Sequence, residues 1–98
     1  MQINVRQICG NDYISRSAGK KIRDILIENW DQENFEIVLG ETPIGSASFF
    51  DEAFALLITL EKKEIKELQI KLNFKDLKRE DKQLLNYVLK DALKPKPR

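Results

Sequence analysis

The sequence predicts a small α/β domain. Its elements alternate as β-α-β-α-β-α, with a mixed or parallel sheet and helices packed mainly on one face. Three observations predict this. The 98 residues, 42% hydrophobic and 34% charged, have the size and composition of one globular unit. Apolar positions switch between a period of two and helical spacing along the chain. Turn-forming residues, Gly10-Asn11-Asp12 and then Gly40 to Pro43, fall between the periodic segments. Residues 1–94 are read as a single domain and 95–98 as a flexible basic tail.

Each element follows from its pattern. Residues 2–8, QINVRQI, alternate at Ile3 and Val5 and read as a first strand. In SRSAGKKIRDILIENW, Ala18, Ile22, Ile25, Leu26 and Trp30 recur at helical spacing, with Lys20, Lys21, Arg23, Asp24 and Glu28 opposite. Ser15 or Ser17 can accept the first free N–H groups of that helix. FEIVLG is short and apolar, as a buried strand is. The stretch PIGSASFFDEAFALL then runs from a turn into a second helix. Phe50, Ala53, Phe54 and Leu57 form one stripe on it, and Phe49, Leu56 and Leu60 a second. Ser48-x-x-Asp51 has the form of a capping box. Leu68, Ile70, Leu72 and Phe74 alternate with Gln69, Lys71 and Asn73, which predicts a strand over 68–74 with one wet face. Residues 78–94 predict a last amphipathic helix, with Leu84, Val88 and Ala92 on one row and Leu85, Leu89 and Leu93 on the next.

Composition narrows function. There is no histidine and only one cysteine, Cys9. This removes the commonest general base and the usual zinc and Cys–His or Ser–His chemistries. The expectation is a protein that is not an enzyme, with no metal and no cofactor. No apolar run reaches the roughly 20 residues of a membrane span. The opening MQINVRQ lacks the basic-then-apolar plan of a secretory signal. A cytoplasmic location is expected, with no membrane partner. Charge is uneven. Residues 1–60 carry five Lys/Arg against nine Asp/Glu, and residues 61–98 carry twelve against seven. That basic half, with only Phe74 and Tyr87 as aromatics, is an alternative nucleic-acid surface, though weakly patterned for one.

The candidate site residues cluster at two helix starts. Arg16, Ser17 and Lys20 could hold an anion or nucleotide at the first helix. Gly19-Lys20 is not a phosphate loop, because Gly10 lies nine residues upstream and Lys21 stands where Ser or Thr is needed. At the second helix, Ser46 and Ser48 read as caps or as phosphoacceptors. Asp51 and Glu52 complement the helix dipole, and neighbours on a helix point about 100° apart, so they do not converge on one substrate. The stripe Phe49, Leu56 and Leu60 reads either as further core or as a protein-binding strip.

The stretch SASFFDEAFALL resembles the Ser-Phe-x-Asp-Glu-Ala-Phe motif of the STAS-like domains of unknown function. These are bacterial and archaeal relatives of the sulfate-transporter and anti-sigma-factor-antagonist domain. SRSAGKKIRDIL, FEIVLGETPIG, LQIKLNF and the last helix are similar to the same family in register, so the resemblance spans most of the chain. It implies a non-catalytic regulatory module that docks a protein partner around the second helix. The partner it implies is a histidine-kinase-type ATPase that phosphorylates a serine there. Carried to this chain, the docking residues are Gly45, Ser46, Ser48, Phe49, Asp51 and Glu52, and the phosphoacceptor is Ser48 or Ser46. The antagonists carry Asp-Ser-Ser-Gly before that helix. Laid on IGSASF, their acceptor serine falls on Ala47, with Ser48 one residue further on.

Overall fold

Ile3, Phe35, Ile37 and Leu72 are buried, whereas Gln2, Asn73 and Lys75 are exposed and Glu36 is half-exposed. The alternation belongs to a three-stranded parallel sheet with one dry face and one wet face. In the computed structural model, which describes residues 1–95, the elements run as follows. β1 is Gln2–Asn4, α1 is Val5–Cys9, α2 is Arg16–Glu28 and β2 is Phe35–Val38. α3 begins as Ala47–Phe50, passes through a π-helical turn Asp51–Ala55 and ends as Leu56–Thr59. α4 is Ile65–Lys71, β3 is Leu72–Lys75 and α5 is Arg79–Leu93. Of the predicted basic tail, residues 96–98 lie outside the described residues.

The sheet order is β1-β2-β3, with Ile3 opposite Ile37 and Ile37 opposite Phe74. Parallel crossovers of one hand that advance in one direction leave their helices on the same face. This is the one-faced α/β arrangement the alternation predicts. Ala18, Ile22 and Leu26 of α2 and Phe50, Ala53, Phe54 and Leu57 of α3 enter the core, with Leu85 and Val88 of α5. Phe54 meets Phe74 of β3 edge-to-face at 5.1 Å between ring centres, and Phe50 meets Phe49 at 5.5 Å. Each such ring contributes on the order of 2–3 kcal/mol through burial.

Two predicted strands are partly helical. The chain leaves β1 after Asn4, because the Asn4 side chain accepts the Gln7 N–H at 3.1 Å and caps α1. Val5 and Cys9, four apart, are both buried, so helical spacing overrides the short alternation. The predicted strand 68–74 is helical to Lys71 and extended only from Leu72. Glu67 reaches back to the Glu64 N–H and accepts from Trp30 Nε1 at 3.1 Å. Lys71 Nζ donates to the Trp30 and Gln32 carbonyls, at 2.8 and 2.5 Å, beyond the end of α2. These contacts hold the segment as a turn of helix. Ile70, inward in the strand reading, is 73% exposed. Ile70→Lys is therefore expected to change stability by less than about 0.5 kcal/mol in urea unfolding. A loss of several kcal/mol would restore the strand.

The second stripe of α3 does not form a surface strip. Phe49 is fully buried, Leu56 half-buried and Leu60 exposed.

Candidate functional site

The loop from β2 to α3 is held at both ends. Arg6 on α1 donates through Nε to the Leu39 carbonyl at 2.9 Å and through its terminal nitrogen to the Thr42 carbonyl. Its guanidinium lies 4.1 Å from the Tyr13 ring centre. At the other end Asp81, in the first turn of α5 and fully buried, accepts from the Ile44 N–H at 2.7 Å and the Gly45 N–H at 2.8 Å. Gly45 has φ +65°, a left-handed conformation that suits glycine. The chain then turns into α3, and Ser46 caps it. Ser46 Oγ accepts from the Phe49 N–H at 3.1 Å and donates to the Ile14 carbonyl at 2.6 Å. The cap is thus Ser46, and the Ser48-x-x-Asp51 capping box does not form.

Beside this cap lies a cleft of about 230 Å³ between three helices. Arg16 comes from α2, Ala47, Ser48 and Asp51 from α3, and Tyr87 and Asp91 from α5. Tyr87 is 67% exposed, and Ile14, whose carbonyl holds Ser46, is 52% exposed. Ser48 is half-buried in the wall, one position after the first helical residue. First-turn N–H groups of a helix have no intrahelical acceptor, so a negative group on Ser48 would meet a favourable field from the backbone.

The charges around the cleft are already organised. Arg16 lies 2.9 Å from Asp51 and 3.3 Å from Glu52, and these hydrogen bonds raise its pKa further. Both carboxylates thus reach one guanidinium, a convergence that their adjacent positions on an ideal helix do not predict. Arg23, only 5% exposed, donates to the Glu52 carboxylate at 2.9 Å and to the Glu52 carbonyl at 2.6 Å. Its Nε lies 3.5 Å from Glu61, a charge contact without hydrogen-bond geometry. Bonding from Arg23 first, and then from Arg16, holds the Glu52 carboxyl below its ordinary 4.5. A depressed carboxyl stabilises the fold above the unfolded pKa, and that stability is lost as pH falls through the folded value. Unfolding free energy is therefore expected to decline as pH drops below 4.5, and more steeply than in Glu52→Gln. Equal slopes in pH-dependent denaturation would remove Glu52 as the cause.

Among the predicted docking residues, Gly45 is exposed, Ser46 and Ser48 are half-buried, Asp51 lines the cleft beside Arg16, and Glu52 pairs with Arg16 without lining it. Phe49 is a correction. Its side chain packs against Phe50 and Phe54 inside the core, so it offers no surface to a partner. Of the residues predicted to hold an anion at α2, Arg16 and Lys20 have partners within the chain. Arg16 is taken by Asp51 and Glu52, and Lys20 pairs with Asp24 at 2.7 Å. Ser17 is exposed, and the cap is Ser15, which accepts from the Ala18 N–H. Ser15 in turn donates to Asp12 at 2.6 Å, so the helix start carries the chain's own carboxylate.

The sequence pattern marks neither Ile14 nor Asp91, and Tyr87 figures in it only as an aromatic of the basic half. The available signal was weak. Tyr87 is the aromatic that falls off both apolar rows of the last helix. Among the described residues no group of three or more His, Cys, Asp or Glu side chains is placed to hold a metal ion, and no helix is long and apolar enough to cross a membrane. No family model, curated protein or solved structure matches this chain.

Proposed function

We propose that this is a non-enzymatic regulatory module of STAS-like type, acting in the cytoplasm, that docks a protein partner at the start of α3. The observation that carries the reading is the cleft beside Ser46 and Ser48, flanked by exposed Tyr87 and Ile14. An exposed tyrosine at a concave surface is a common anchor of a protein interface, and the charged groups around it suit the rim. Gly45, Ser48, Asp51, Tyr87 and Asp91 form the contact, with Ile14 at its edge. Phe49 and Ser46 support it from beneath.

Ser48 is the proposed point of control. Its hydroxyl lines the cleft, and phosphorylation there by a histidine-kinase-type ATPase would add about two negative charges. The new charge would meet the backbone field and Arg16, and would face Asp51 and Asp91. The result is a docking surface of altered charge on an unaltered core. Ser46, with both roles of its hydroxyl occupied, is not the acceptor.

The reading is tested by capturing partners from lysate of the source organism on wild-type, Tyr87→Asp and Ser48→Asp baits, with circular dichroism to show that all three fold. A partner held by the wild type and lost at least tenfold by Tyr87→Asp supports docking here. Loss with Ser48→Asp as well supports the switch. A partner bound equally by all three baits would move the interface elsewhere.

A further inference from the structure

We infer that the protein binds a compact, neutral apolar molecule in a second recess, on the far side of α5 from the docking cleft. The recess has a volume of about 200 Å³. Phe54 of the π-helical turn, Leu68 of α4, Leu72 and Phe74 of β3, and Leu85 and Leu89 of α5 wall it. None of these residues lines the docking cleft, so this inference stands or falls separately from the proposed function.

The lining selects the ligand. No charged side chain borders the recess, and a charged guest would lose hydration there without an opposite charge in return. Gln69, exposed at the rim, is the one polar residue of the lining, and its amide can both donate and accept. A neutral ring with a single N–H or O–H group matches this set better than a hydrocarbon does.

Size narrows it further. An apolar cavity of roughly 150 Å³ accommodates benzene, and sites for larger ligands run from about 300 Å³ upwards. The present recess falls between them and fits a fused bicyclic ring. Its walls converge from four elements on one hollow. A bound peptide helix would instead need a row of anchor points over two turns.

The recess depends on the helical form of α4. Helical geometry brings Ile65, Leu68 and Gln69 to one side, where all three line it. A strand over 68–74 would send Leu68 and Gln69 to opposite faces and dismantle the wall. Left empty, the lining forfeits dispersion contacts that a fitted guest restores.

Indole is the probe. Titrated into the full chain, it is expected to move the backbone amide resonances of 68–74 and 85–89 saturably. It should also raise Tm, by about 7 °C at ten times its Kd. Leu89→Trp, at the half-buried rim, fills the hollow and is expected to weaken indole binding at least tenfold. Leu85→Phe fills it from beneath and serves if the first variant misfolds. The inference is overturned if wild type shows no saturable shift up to the solubility limit of indole. It is equally overturned if the shifts map away from the recess, or persist undiminished in both filled variants.

Discussion

Asp81→Ala is expected to destabilise the protein by about 3–5 kcal/mol, a large share of the stability of a domain this size. The carboxylate is fully buried and accepts two backbone N–H groups, those of Ile44 and Gly45. Alanine leaves both donors without an acceptor, at about 1.5–3 kcal/mol each for bonds to a charged group. It also removes a negative charge from the first turn of α5, where the helix dipole favours one. Asp81→Asn keeps one acceptor oxygen but turns its NH₂ toward the other N–H, so its loss should lie between wild type and alanine. Urea unfolding checks the energy, and the Ile44 and Gly45 amide resonances report the geometry. The same turn leads into Ser46, so the alanine variant should also disorder the cleft beside α3. A loss below about 1 kcal/mol would show that the turn holds without the carboxylate.

Gly19→Ala is expected to be destabilising although the glycine sits inside a helix. By propensity alone, alanine would gain about 1 kcal/mol there. Packing reverses the sign. A Cβ at Gly19 would lie 2.7 Å from the Phe49 carbonyl oxygen and 2.7 Å from Glu52 Cβ. One of these is backbone, so α2 and α3 must separate. Overpacking of this kind costs about 1–3 kcal/mol beyond the propensity gain. Separation would also stretch the bonds from Arg23 to Glu52, four residues along the same helix. The variant should therefore unfold at lower urea and show a weaker acid dependence assigned to Glu52. A rise in Tm would mean that the helix crossing is looser than the distances imply.

The stretch PIGSASFFDEAFALL is partly core and partly surface. Phe49, Phe50, Ala53, Phe54 and Leu57 are core. The turn and the exposed side of the first helical residues border the cleft. The spacing showed Phe50, Ala53, Phe54 and Leu57 directly, because a helical row is a local pattern. It could not divide Phe49 from Leu60, since both lie on the second row, and only the neighbouring elements decide which positions are covered. Leu60 falls at the end of α3 and remains exposed.

What the sequence determined by itself is the α/β class, the three long helices, the short central strand and the single dry face of the sheet. These follow from periodicity, which is set by residues a few positions apart. What the tertiary structure decided involves partners far along the chain. Asp81 is buried because it meets residues 36 and 37 positions away. Arg16 is ion-paired because Asp51 lies 35 positions on, and Arg23 is buried against Glu52, 29 positions on. Likewise α4 is helical because Trp30 and Gln32, near the end of α2, capture Glu67 and Lys71. Local spacing carries no record of such meetings. An isolated charge is read as solvated and an alternating run as a strand until the fold brings the distant partner into reach.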